Sequence, residues 1–84
     1  MVRKTKSEIL EIIQKALEVN DPQVTMESSS NSIPKWDSLG QINIIIALDT
    51  VFGGKVSELQ EMATAGSVRK IVEILKDNGL IENE

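Results

Sequence analysis

Apolar residues in this chain recur at the spacing of a helix and almost nowhere at the alternation of a strand, and that pattern limits the fold more than any other feature. In TKSEILEIIQKALEVN, Ile9, Leu10, Ile13, Ala16 and Leu17 make one stripe, while Glu8, Glu11, Gln14, Lys15 and Glu18 fall mostly on the other face. Thr5 followed by Glu8 is a capping-box pair, and Asn20-Asp21-Pro22 is a stop signal, so a first helix is expected over residues 6–19. A second is expected over 38–52, from Asp37-Ser38 to the glycine pair Gly53-Gly54, which suits a left-handed C-cap. It is nearly apolar all round, a composition that points to deep burial.

Ser57 with Gln60 forms another capping pair and predicts a short helix over 58–63, interrupted by Thr64-Ala65-Gly66. Ser67 then caps a last helix over 68–77, whose inward stripe is Val68, Ile71, Val72 and Leu75. Asn78-Gly79 ends it, and Leu80-Ile81 is placed to fold back. Residues 20–36, with SSSNS and two prolines, read as a long loop, and a connection of that length in a small domain is often functional. The expected fold is all-α: a small irregular four-helix bundle of three main helices and a short third one, with a long loop between helices 1 and 2.

With 84 residues there is room for one domain. There is no cysteine and no histidine, which removes disulfides, thiolate metal sites, the best zinc ligands and the commonest general base. An autonomous enzyme and a metal site are therefore not expected. The net charge of −4, with Arg3, Lys4 and Lys6 gathered near the start, argues against nucleic acid as a partner. The longest apolar run, Ile44 to Leu48, is too short to span a bilayer. Met1-Val2-Arg3-Lys4 is followed by amphipathic sequence rather than an apolar run, so no secretion signal is read and a cytoplasmic location is expected.

Ser38 admits two explanations. It is a good N-cap residue, Gln41 completes a capping box with it, and Asp37 adds negative charge at the positive end of the helix dipole. As a nucleophile it lacks a histidine partner, so it is not a hydrolase serine. It is equally well placed to be modified by another enzyme, because the open N–H groups of a helix start accommodate a phosphodiester. Asp37 would oppose that charge slightly, and its carboxylate could face a modifying enzyme's metal ion.

The stretch WDSLGQINIIIALDTVFGG resembles the attachment segment of acyl carrier proteins: Asp-Ser-Leu, a largely apolar helix, then an aromatic residue before a loop. Asp37, Ser38, Leu39, Ile42, Ile44, Leu48 and Phe52 fit that order, and the resemblance extends over about residues 5–77. It implies a carrier with 4'-phosphopantetheine attached to Ser38, flanked by Asp37 and Leu39 as the attachment motif; a freestanding, specialised, monomeric member is expected. A phosphopantetheinyl transferase would install the arm from coenzyme A, and its thiol would carry an acyl group as a thioester. Partners implied are that transferase, an acyl- or aminoacyl-loading enzyme, and downstream acyl-transfer or synthase enzymes. Fatty-acid, polyketide, saccharide and surface-polymer biosynthesis are all compatible settings.

Asp37, Ile45, Ile46, Asp49, Glu58 and Glu61 are the residues this resemblance offers for partner recognition. Ile45 and Ile46 are equally readable as core, and the acids as scattered solvated charges. The second helix departs from fatty-acid carriers in holding Gly40, Asn43, Thr50 and Val51 where acids are common. Trp36 reads as an anchor pinning the loop, with contact to the arm or modifying enzyme as the alternative. Two other functions stay open: an aminoacyl or peptidyl carrier, although the glycines often found before that serine are missing, and an unmodified helical protein-interaction module.

Overall fold

A computed structural model describes residues 4–19 and 24–81, and among them the regular structure is helical, with no strand. Helix α1 spans Lys6–Leu17, α2 spans Ser38–Val51 and α3 spans Val68–Asp77; a 3-10 helix, Gln60–Thr64, precedes α3. The all-α expectation is met. No described helix is long and apolar enough to cross a membrane.

The α1 start matches its sequence signal. Thr5 Oγ1 accepts from the Glu8 N–H at 3.3 Å, and Glu8 Oε1 accepts from the Thr5 N–H at 3.2 Å. That backbone bond, with Lys4 alongside at 3.4 Å, holds the Glu8 carboxyl below its ordinary pKa. Helix α1 stops earlier than predicted because Glu18 turns into the left-handed region at φ 55°, closing the last turn through its N–H to the Gln14 and Lys15 carbonyls. The Asn20-Asp21-Pro22 stop signal lies outside the described residues.

The α2 C-terminus follows the glycine reading: Gly53 adopts φ 66° and the Gly54 N–H returns to the Asp49 carbonyl at 2.9 Å. The expectation of a deeply buried α2 is not met. Gly40, Ile44 and Leu48 are buried, but Leu39, Ile42, Ile46 and Val51 are exposed. A helix needs neighbours on several sides to bury an apolar circumference, whereas among the described helices α2 has close backbone approaches to α1 and the 3-10 helix, which also flank α3. Gly40 sits at a tight approach to the loop and α1: a Cβ there would lie 2.2 Å from the Lys35 carbonyl oxygen and 2.9 Å from Leu17 Cδ2.

The short helix predicted over 58–63 is replaced by the 3-10 turn, and Ser57 does not cap it. The Ser57 N–H is held by Asp49 Oδ1 at 2.8 Å, which fixes the chain ahead of Leu59 and delays the turn. Helix α3 has its predicted bounds, with Ser67 Oγ accepting from the Lys70 N–H and Val68, Ile71, Val72, Ile74 and Leu75 buried. Beyond Gly79 (φ 69°), the Leu80 N–H returns to the Leu75 carbonyl and Ile81 is buried, so the C-terminal fold-back is observed.

The described part of the long connection, residues 24–36, is folded. Val24, Ile33 and Trp36 join the core, with Met26 packed partly against it. The Ser30 N–H donates to the Gly66 carbonyl at 2.8 Å and the Val68 N–H to the Ser28 carbonyl at 3.0 Å, clasping the loop to the start of α3. An exposed Arg69–Glu27 pair at 2.6 Å reinforces the clasp.

Candidate functional site

Asp37, and not Ser38, caps α2. Its backbone is extended, its Oδ1 accepts from the Gly40 N–H at 2.9 Å, and its carbonyl accepts the first helical bond from the Gln41 N–H at 2.8 Å. The Ser38–Gln41 capping box of the sequence reading is therefore absent. The amide of Gln41 is committed elsewhere, and Asp37 is one residue better placed to reach the orphan N–H groups.

Ser38 is consequently the first residue of the helix, exposed, and no described residue hydrogen-bonds to its hydroxyl. The N–H groups of Ser38 and Leu39 likewise have no acceptor among the described residues, since Asp37 takes the N–H of Gly40. An oxygen-bound anion on Ser38 would thus meet open donors and the positive end of a 14-residue helix.

On the outer face of α2, Leu39 (65% exposed), Ile42 (52%) and Ile46 (58%) follow one another at spacings of three and four residues, forming an apolar stripe beside Ser38. Ile46 therefore takes the exposed role between the two left open, while Ile45 is partly buried and packs against the core.

Between α2 and the 3-10 helix lies an open cleft of about 540 Å³, bordered by Asp37, Ser38, Ile42, Ile45, Ala63 and Thr64. Its inner edge is tied by a side-chain network. The Trp36 indole Nε1–H donates to Gln41 Oε1 at 2.6 Å, and Gln41 Nε2 donates to the carbonyls of Met62 at 2.8 Å and Ala65 at 3.1 Å. Trp36, 2% exposed, belongs to the core, so the anchoring reading of that residue holds. For Gln41 the sequence offers only a capping role. Its position three residues after Ser38 pointed to a cap, and only tertiary contacts reveal its use.

Asp37 borders the Ser38 cleft, whereas the exposed Glu58 lines a separate groove with Lys55 and Leu59. Glu61 is exposed on the 3-10 helix. Asp49 is half-buried, with its carboxylate engaged by the Ser57 N–H. No protein-family model matches this chain, and no solved structure matches it.

Proposed function

We propose that this protein is a carrier whose Ser38 hydroxyl receives 4'-phosphopantetheine from coenzyme A by the action of a phosphopantetheinyl transferase. The observation that carries the reading is the division of labour at the start of α2: Asp37 holds the cap, leaving Ser38 exposed and its hydroxyl unbonded to any described residue. The residues fit the group. A phosphodiester on Ser38 would neighbour the open N–H groups of Ser38 and Leu39, and the exposed Asp37 carboxylate repels it only through solvent-screened charge. When bound, the arm supplies the thiol that this cysteine-free chain lacks, and that thiol holds an acyl group as a thioester.

On this reading the described helices form the irregular four-helix bundle of a carrier, with Gln60–Thr64 standing where the short third helix belongs. The chain's own contribution is to present and dock. Leu39, Ile42 and Ile46 offer an apolar face to loading and synthase enzymes, and the scarcity of acids on α2 makes docking less salt-sensitive than a charge-matched surface. Asp37 remains the acid best placed to contribute; Ile45, Asp49, Glu58 and Glu61 are more peripheral recognition candidates. Acyl cargo is the first reading and aminoacyl cargo the variant of it.

The exposed stripe also favours a second reading, an unmodified interaction module. Intact mass after incubation with coenzyme A and a broad-specificity transferase separates them. A gain of one phosphopantetheine, absent in Ser38→Ala, is expected. No gain, both with a transferase proven on another carrier and with one from the native host, refutes the carrier reading.

A further inference from the structure

We infer that Gln41 keeps the cargo of the carrier proposed above out of the helix core: it bars the inner end of the Ser38 cleft and confines the attached group to the open cleft. Gln41 stands at a boundary. On its outer side it lines the cleft with Ser38 and Ile42; on its inner side it bonds the carbonyls of Met62 and Ala65, both core residues. Three hydrogen bonds fix it from two directions, both amide protons pointing to the 3-10 helix region and the amide oxygen accepting from Trp36. The bar therefore spans from the loop, through α2, to the wall opposite.

An alkyl chain moving inward from Ser38 would have to displace this amide and can replace none of its bonds. The Trp36 indole N–H and the Ala65 carbonyl, both on buried residues, would lose the partners they have here. The outer cleft is different in character: Ile42, Ile45 and Ala63 give it apolar wall, while Ser30, Asp37 and Thr64 give it polar edge. A chain attached at Ser38 can lie along that apolar wall without displacing Gln41.

The inference rests on the carrier reading, and its test distinguishes the two. Wild type, Gln41→Leu and Trp36→Phe, the last keeping a core-filling ring without its N–H, are each charged at Ser38 with acetyl- and octanoyl-phosphopantetheine. The methyl resonances of Ile44 and Ile71 are then compared between the two charged forms. In wild type they are expected to coincide; in Gln41→Leu, and more weakly in Trp36→Phe, the octanoyl form alone should move them. Core shifts caused by octanoyl in wild type overturn the inference, as does a folded Gln41→Leu protein whose core ignores the chain. Should Ser38 accept no arm from any transferase, the carrier reading fails. Titrating the same proteins with free octanoyl-pantetheine then judges the bar alone, by the same resonances and the same criteria.

Discussion

Asp37→Ala and Ser38→Ala, substitutions at adjacent positions, should have opposite effects on stability, and the contrast tests the assignment of the α2 cap. Asp37 supplies the bond to the Gly40 N–H at 2.9 Å. Losing an N-cap of this kind costs about 1 kcal/mol. Removing a carboxylate from the positive end of the dipole adds about 0.5 kcal/mol at low ionic strength, bringing the expected loss to about 1.5 kcal/mol. Ser38 makes no bond to any described residue through its hydroxyl, and alanine is the better helix former by up to about 0.5 kcal/mol. Ser38→Ala should therefore be neutral or slightly stabilising.

Urea unfolding followed by far-UV circular dichroism reads both effects. With a slope of about 1 kcal/mol per M for so small a chain, the midpoint should fall by about 1.5 M in Asp37→Ala and stay within about 0.5 M of wild type in Ser38→Ala. Raising the salt should recover part of the first loss, the dipole component, and none of the cap bond. A Ser38→Ala protein destabilised by about 1 kcal/mol or more, beside an unaffected Asp37→Ala, would show that serine is the cap after all. The practical yield is a clean control: Ser38→Ala should lose the capacity for modification with the fold intact.

Three further outcomes are expected. Gly40→Ala should lower the thermal midpoint, because the new Cβ meets the Lys35 carbonyl oxygen at 2.2 Å; overpacking of about 1–3 kcal/mol outweighs a helix-propensity gain of about 1 kcal/mol, and a raised midpoint would contradict the close approach. Glu8, held below its ordinary pKa chiefly by the Thr5 backbone N–H, binds fewer protons folded than unfolded, so its contribution is complete above the unfolded value and lost as pH falls through the folded one. Unfolding midpoints should accordingly decline on acidification below about 4.5, less steeply in Glu8→Gln, and identical acid limbs for the two proteins would count against the capping box. Arg69→Ala should cost under about 1 kcal/mol in urea unfolding and nothing at high salt, since its pair with Glu27 is exposed; a larger, salt-independent loss would mean the clasp depends on that ion pair.

Local signals carried most of the helical outline. Thr5 with Glu8, Ser67 ahead of Val68, and Gly53-Gly54 after α2 each act through backbone atoms a few residues away, so spacing alone exposed them. Spacing misleads where a distant group has a stronger claim on the same atoms. Spacing pairs Gln41 with Ser38, but Trp36, Met62 and Ala65 hold its amide; it pairs Ser57 with Gln60, but Asp49 holds the Ser57 N–H. The all-round apolar composition of α2 implied burial only on the assumption of enough neighbours to cover it. At the site, Asp37-Ser38-Leu39 was legible as a motif, whereas the freedom of the Ser38 hydroxyl depended on which of two adjacent residues took the cap.

The clasp between the loop and the start of α3 bears on the order in which the molecule assembles. Helices α1, α2 and α3 form from contacts near in sequence, but the Ser30–Gly66 and Ser28–Val68 pairings join segments far apart along the chain and become favourable only once a long loop has closed. They are thus expected to form late in folding and to open first, through a partial unfolding that leaves the helices standing. Ser30 and Gly66 also border the cleft at Ser38. Amide hydrogen exchange should therefore reveal weaker protection at Ser30 and Val68 than at mid-helix positions such as Ile13 and Leu48, so that the cleft wall formed by Ser30 and Gly66 opens more readily than the helices behind it.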